Sequence, residues 1–174
     1  MSEVVQFESR RVGKIEVIDE DILRFESIPG FPDKKRFVVV AHADSADFAW
    51  LVCIDDPDLA FVVASPWTFF PNYDPPVDRD HLATLSIEKK EEVELLSIVT
   101  LMGKEIYLNL AAPLLINASS RRGMQVVSDD PRYTTRAALP PLKEEAKSQA
   151  ASTEADSKQA DSTPTASKSV PVAP

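Results

Sequence analysis

The chain has 174 residues, of which 44% are hydrophobic and 27% are charged, and its formal net charge is −9. These values are ordinary for a soluble globular protein made of one domain with an appendage. The acidic surplus argues against direct binding to RNA or DNA, because nucleic-acid binding needs lysine and arginine to displace counterions. It favours attraction to a basic protein partner, although a solvated acidic surface without a partner explains the charge equally well.

The small number of cysteines and histidines excludes several kinds of site. Cys53 is the only cysteine, so no intramolecular disulfide can form, and its apolar surroundings predict a buried structural thiol. His42 and His81 are too few for a zinc site of the usual cysteine and histidine kind. The N-terminus lacks an apolar signal core, and no apolar run reaches the roughly 18 residues of a membrane span. We therefore expect a cytoplasmic protein that does not enter a membrane.

Short apolar segments occupy the first third of the chain and predict strands. They lie at residues 4–7, 12–18, 22–25, 37–41, 48–54 and 59–64. The segment FVVVA at 37–41 is continuously apolar, which predicts a strand buried on both faces. Pro29 and Gly30 suit the central positions of a type II turn, because glycine adopts the required positive φ at little cost.

The connector that follows residue 54 permits two interpretations. Asp55, Asp56 and Asp58, together with a proline, are usual residues of a hairpin loop. Three aspartates so close together also suggest a metal site, but their spacing does not match a calcium loop. The hairpin loop is favoured, and metal binding stays open as an alternative.

The middle of the chain contains a segment rich in proline and one helix signal. Residues 65–76 (SPWTFFPNYDPP) hold four aromatic residues among four prolines, which excludes a regular helix or a central strand. We expect this segment to pack across a sheet edge or a barrel end, with any exposed part available for docking. Asp78 or Asp80 is suited to cap a short helix that ends near Ile87.

Alternating apolar residues return after residue 92 and continue to residue 127. They predict a strand at 93–102, a two-residue hairpin at Gly103 and Lys104, and a second strand that Pro113 interrupts. The apolar run resumes at 114–116, turns through 117–123 and returns at 124–127, which predicts a meander of three or four strands. A last short element is expected at 133–138. The inward-facing residues of this region are expected to be Ile106, Leu108, Leu110, Leu115 and Val126.

The composition changes after residue 140. Residues 141–174 contain no aromatic residue and are dominated by Ala, Ser, Thr, Lys, Glu and Pro, which predicts a disordered tail. The tail has four lysines and five acidic residues, so −8 of the net charge of −9 belongs to residues 1–140. About ten short apolar segments and one short helix predict an all-β fold, mostly antiparallel, as a small barrel-like single domain over residues 1–140.

No catalytic motif is present in the sequence. The four glycines form neither a dinucleotide fingerprint nor a phosphate-binding loop, and no nucleophile is paired with a base. We therefore expect no catalytic residue, no cofactor and no metal site. A protein-binding module is the better class of function.

One ordered set of segments points to a known family. It comprises IPGF (28–31), FAWL (48–51), DPDLAF (56–61), PNY (71–73), SIVT (97–100), NLAAP (109–113) with IN (116–117), and GMQVV (123–127). Their succession resembles the flagellar assembly factor family, FliW, over residues 4–138. The resemblance implies a compact, barrel-like cytoplasmic protein without catalytic activity, and we expect a monomer.

The resemblance also implies two protein partners. One is flagellin, bound through its C-terminal region before secretion. The other is CsrA, a small RNA-binding dimer that represses translation. The two partners compete for the factor, so export of flagellin releases it to bind CsrA and relieve repression of flagellin synthesis.

Candidate partner-binding residues come from the segments that carry the resemblance and from the adjoining turn. They are Asn72, Tyr73, Asn109, Asn117, Arg121, Arg122 and Gln125. Each also has a purely structural interpretation: the two asparagines of the 106–127 stretch suit turn or edge positions that bond the main chain, and the arginines suit a solvated loop.

Two other functions stay open. A small-molecule-binding or hydrolytic barrel would use Asp55, Asp56 and Asp58 with a metal. A structural adaptor would act through the tail, and truncation at Pro140 would then abolish partner binding.

Overall fold

Residues 3–140 are described by the computed structural model, and their regular structure is mainly β. The strands are β1 Val4–Ser9, β2 Gly13–Ile18, β3 Leu23–Phe25, β4 Arg36–Ala41, β5 Ala49–Cys53, β6 Ala60–Ala64, β7 Val93–Met102, β8 Glu105–Leu108, β9 Leu114–Asn117, β10 Arg122–Gln125 and β11 Ala137–Ala138. The helices are α1 Pro66–Phe69 and α2 Arg79–Thr84, and single 3-10 turns lie at Asp19–Asp21 and Lys90–Glu92. The predicted all-β class is confirmed. The tail predicted for residues 141–174 lies outside the described residues.

Seven strands form a closed barrel in the order β3-β4-β5-β6-β7-β9-β10, and β10 returns to β3. All pairs are antiparallel except β3 with β10, where Arg24 lies opposite Arg122. The long strand β7 pairs through its first half with β9, which closes the ring, and through its second half with β8, which lies outside the ring. The predicted meander is therefore wrong: β9 does not follow β8 in the sheet but crosses back to β7. The break around Pro113 allows this crossing, since proline cannot continue a ladder of hydrogen bonds.

The barrel interior is filled by side chains that alternate along the strands. These residues are Leu23, Phe25, Ile28, Phe37, Leu51, Cys53, Val63, Leu96, Leu114 and Ile116. Cys53 is fully buried, as predicted for a structural thiol, and its burial raises the pKa of the thiol. The thiolate that a nucleophile requires is thereby disfavoured.

Two layers cover the outside of the barrel. The β1–β2 hairpin packs Ile15 and Val17 onto Val38 and Val52 of β4 and β5. The proline-rich segment and α2 cover β7 and β9 on another side, where Tyr73, Leu85, Leu95, Leu108, Leu110, Leu115 and Val126 form one cluster. Burial of the predicted inward-facing residues is confirmed except for Ile106, which is half-buried.

Two local predictions need correction. The proline-rich segment contains the single helical turn α1, which Pro66 can begin because the first turn of a helix leaves its N–H groups unpaired. The strand β4 is buried on both faces only at Phe37, inside the barrel, and Val38, under the outer hairpin; Val39, the next residue, is 42% exposed. Within residues 3–140, no helix is both long and apolar enough to cross a membrane.

Candidate functional site

Asn117 fastens the β9–β10 turn to the end of α2. Its side chain is 2% exposed and makes four hydrogen bonds to main-chain groups. Nδ2 donates to the carbonyl oxygens of Leu85 and Ser86 at 3.0 and 3.1 Å. Oδ1 accepts the N–H groups of Ser119 and Ser120 at 2.9 and 3.1 Å. Because all the polar capacity of this amide is used inside the fold, Asn117 acts on any partner only through the turn that it holds.

Arg121 and Arg122 follow this turn and are both paired with acidic residues. Arg121 adopts a φ of 58°, its N–H donates to the carbonyl of Asn117 at 2.9 Å, and its guanidinium lies 3.6 Å from Asp21. Arg122 Nε donates to Glu26 Oε1 at 3.0 Å, and its NH2 group contacts the same oxygen. Both side chains are more than one third exposed, so a partner can reach them. A partner would meet two ion pairs rather than two unpaired cations.

Asn109 and Gln125 form hydrogen bonds with the main-chain groups of Ala112, which lies in the break between β8 and β9. The N–H of Ala112 donates to Asn109 Oδ1 at 2.9 Å. Gln125 Nε2 donates to the carbonyl oxygen of Ala112 at 2.9 Å. The two amides thus satisfy the main chain where Pro113 interrupts the ladder. The placement of Asn109 agrees with the interpretation of a turn or edge residue that bonds the main chain, whereas the main-chain bond of Gln125 was not predicted from the sequence.

Tyr73 lies under the proline-rich segment, and Asn72 lies beside it at the surface. Tyr73 is 4% exposed, and its hydroxyl donates to the carbonyl oxygen of Leu110 at 2.6 Å. Its ring packs edge-on against Tyr133 at 4.8 Å between centroids. Burial, with a smaller contribution from Tyr133, raises the pKa of Tyr73 well above its ordinary value. Tyr73 therefore stays neutral and anchors the segment, whereas Asn72 is exposed to a partner.

The aspartate loop between β5 and β6 is neutralised by cations of neighbouring elements. Asp55 pairs with Arg36 (Nε to Oδ1, 2.9 Å), Asp56 with Lys34 at 3.0 Å, and Asp58 with Arg10 at 2.9 Å. Burial alone would raise the pKa of Asp55, but hydrogen bonds from Arg36 outweigh it and lower that pKa. In the described part of the chain, no group of three acidic, histidine or cysteine residues is arranged to hold a metal ion. The metal-binding alternative is therefore not favoured.

The predicted site residues form three separate groups rather than one surface patch. Asn117, Arg121 and Arg122 lie at the β9–β10 turn, Asn109 and Gln125 meet at Ala112, and Asn72 and Tyr73 lie by Tyr133. The acidic partners of the two arginines could not be predicted from local patterns, because Asp21 lies in the 3-10 turn Asp19–Asp21 and Glu26 lies just after β3, far earlier in the chain.

Comparison with known proteins places the whole described fold in one family. A family model described as FliW protein matches residues 6–139. The flagellar assembly factor FliW of Heliobacterium modesticaldum is 36% identical over 157 residues, which cover 88% of this chain and 98% of that protein. The protein of the same name from Caldicellulosiruptor saccharolyticus is 38% identical over 131 residues, 74% of this chain and 86% of its own. A crystal structure of the flagellar assembly factor FliW superimposes with a TM-score of 0.72 at 35% identity, covering 79% of this chain and 98% of that one. The chain belongs to the FliW family.

Proposed function

We propose that this protein is a non-enzymatic, cytoplasmic flagellar assembly factor with two protein partners. It binds the C-terminal region of flagellin before export, and it binds a CsrA-type translational repressor when flagellin has left. The observation that carries the proposal is the match of the entire barrel, residues 6–139, to proteins named as flagellar assembly factors. Binding of the repressor relieves its block on flagellin synthesis, so synthesis follows export.

The side chains of the barrel support a binding role rather than a catalytic one. The buried thiol of Cys53 is held in its protonated form. The three aspartates of the β5–β6 loop are each engaged by a cation. The polar atoms of the Tyr73 and Asn117 side chains form hydrogen bonds with main-chain groups of the fold. These groups stabilise the barrel and leave its surface to recognise partners.

The charge of the protein fits the second partner. Residues 1–140 carry −8 of the formal charge, while a protein that binds RNA presents basic surface. The acidic barrel attracts such a protein and repels the phosphates of RNA that approach the same surface. Capture of the repressor and release of its RNA then have a common electrostatic cause.

The first experiment is a pull-down from an extract of a flagellated host, followed by identification of the bound proteins. We expect flagellin and a CsrA-type protein, and recovery of neither contradicts the proposal. Calorimetry with the purified repressor then compares about 0.05 M with about 0.5 M salt, where screening shortens the range of electrostatic attraction severalfold. We expect the affinity to fall at high salt, and an unchanged affinity would refute the electrostatic account.

A charge swap tests whether the β9–β10 turn belongs to the interface. Arg122→Glu reverses an exposed charge but also breaks the ion pair with Glu26. The double variant Arg122→Glu/Glu26→Arg restores the pair in the opposite orientation and is the matched control for folding. If the turn contacts a partner, both variants weaken at least one complex, whereas normal binding of both partners by the double variant makes the turn a scaffold only.

A further inference from the structure

The C-terminal part of β4 has one unpaired edge in the barrel wall. Its neighbour β3 pairs with it only at Leu23 opposite Phe37 and at Arg24 opposite Arg36. Before Leu23, the 3-10 turn Asp19–Asp21 carries the chain away from β4 and into the outer hairpin. The last residues of β4 therefore have β5 on one side and no strand on the other.

The alternation of hydrogen bonds shows which main-chain groups point to the open side. The N–H of Phe25 donates to the carbonyl of Lys35 at 2.8 Å, and the N–H of Ile54 donates to the carbonyl of Arg36 at 2.9 Å. Successive residues of an antiparallel strand bond alternately to its two neighbours. The N–H and carbonyl groups of Val38 and Val40 therefore point to β5, while those of Val39 and Ala41 point to the open edge. Across residues 3–140, no main-chain hydrogen bond to another residue satisfies Val39 or Ala41 on that edge.

A groove of about 530 Å³ runs along this edge between β4 and β2. It is lined by residues 15–18 of the outer hairpin, by residues 38–41 of β4, and by Asp21, Leu23 and Arg121. Val39 is 42% exposed and Ile18 is 36% exposed, so the groove offers apolar contacts beside the unpaired main-chain groups. An extended peptide needs this combination, because main-chain bonds provide affinity and alternate side chains provide selectivity.

The charge of the groove indicates what kind of segment fits it. Glu16 and Asp21 both line the groove, and Asp21 already engages Arg121, the only cation among the lining residues. Asp44 lies in the adjoining β4–β5 loop, beside Val39 and Ala41. A bound segment would therefore meet more carboxylates than cations, which favours a lysine or arginine in that segment.

We propose that β4 accepts an extended segment of a basic protein partner as an added strand along Val39–Ala41. The segment is apolar where it contacts Val39 and Ile18, and it carries a basic residue next to Glu16. This inference rests on the proposed function, whose RNA-binding partner supplies a basic surface. It assigns the groove to that partner rather than to flagellin.

Amide hydrogen exchange of the full-length protein, with and without a saturating purified CsrA-type repressor, tests the main-chain part of the inference. The amides of Val39 and Ala41 should exchange fast in the unbound protein and at least about tenfold more slowly in the complex. Val38 and Val40 are internal controls, because their amides bond to β5 in both states. A complex that forms without protecting Val39 and Ala41 overturns strand addition while leaving the proposed function intact. Failure of any complex to form overturns both.

Two variants and a matched control test the groove in the same binding assay. Val39→Glu places a carboxylate in the apolar groove, and Ala41→Pro removes the N–H on the open edge without removing a hydrogen bond to β5. Both should weaken binding of the repressor about tenfold or more and leave flagellin binding unchanged. Val127→Glu makes the same change at a valine that is 65% exposed and outside the groove, and it should bind normally. Equal affinities for Val39→Glu and Val127→Glu would overturn the inference.

A second copy of this protein is the competing occupant of the β4 edge. If Val39 and Ala41 become protected in the protein alone as its concentration rises, a second copy fills the groove and the inference is overturned. A monomer at all concentrations, with both amides exchanging fast, supports it.

Discussion

Replacing Asn117 with alanine should destabilise the barrel strongly. The side chain joins the β9–β10 turn to α2 through two donated and two accepted hydrogen bonds. Leu85, which supplies one of the acceptor carbonyls, is fully buried, so water cannot replace the lost amide there. The N–H groups of Ser119 and Ser120 belong to exposed residues and regain water when the side chain is removed. The loss is therefore dominated by the bond to the carbonyl of Leu85.

The size of the effect follows from these four bonds. A hydrogen bond contributes about 0.5–1.5 kcal/mol net, and an unsatisfied buried carbonyl costs about 1–3 kcal/mol. Counting the bond to Leu85 as a buried carbonyl left unsatisfied, and the other three bonds at the low end, gives a loss of about 3 kcal/mol in the free energy of unfolding. Since domains are stable by only about 5–15 kcal/mol, such a loss is large.

Chemical denaturation measures this loss, with Asn72→Ala as the matched control. Asn72 is an exposed asparagine, and its substitution should change the free energy of unfolding by less than about 0.5 kcal/mol. A loss below about 1 kcal/mol for Asn117→Ala would refute the role of this amide as a structural link. Asn117 would then be better explained by contact with a partner.

Three further predictions concern packing, pH and metals. Gly123→Ala should cost about 1–2 kcal/mol in unfolding free energy, because its Cβ would lie 2.9 Å from Phe25 Cε1; denaturation without a loss would refute the close packing. The carboxyl of Asp55 has a lowered pKa in the folded state, so its pairing with Arg36 stabilises the fold above the unfolded pKa of about 4 and is lost as pH falls through the folded pKa. The stability difference between wild type and Asp55→Asn should therefore shrink in acid, and a difference that grows would contradict this sign. Calorimetric titration with calcium, magnesium or manganese should give no heat at the aspartate loop, whereas saturable heat abolished by Asp55→Ala would revive metal binding.

Local patterns predicted the strands well because a half-buried strand alternates its side chains within the sequence itself. The strand 93–102 was predicted with its observed bounds, and the hairpin at Gly103 follows it with the expected positive φ of 66°. The choice of partner strand was not predictable in the same way. In the pairing of β7 with β9, the chain passes over the intervening strand β8, and no local pattern encodes that choice.

The same limit explains what was missed at the candidate site. Arg122 resembles a solvated cation in the sequence, because Glu26, which pairs with it, lies in the first part of the chain. Gly123 was assigned to a turn from its residue type alone. The structure places it in β10, where the ring of Phe25 leaves no room for a Cβ. The contacts of Arg122 with Glu26 and of Gly123 with Phe25 both depend on the parallel pairing of β3 with β10. These two strands come together only in the folded chain.

This parallel pairing has a consequence for synthesis of the protein on the ribosome. The strands β3 to β7 emerge first, but the ring closes only when β9 and β10 reach β7 and β3. Until Gln125 has emerged, the nascent chain carries two strand edges without partners, and such distant closure slows folding. A message truncated before β9 would therefore produce a chain that cannot close its barrel, and its open edges would favour aggregation.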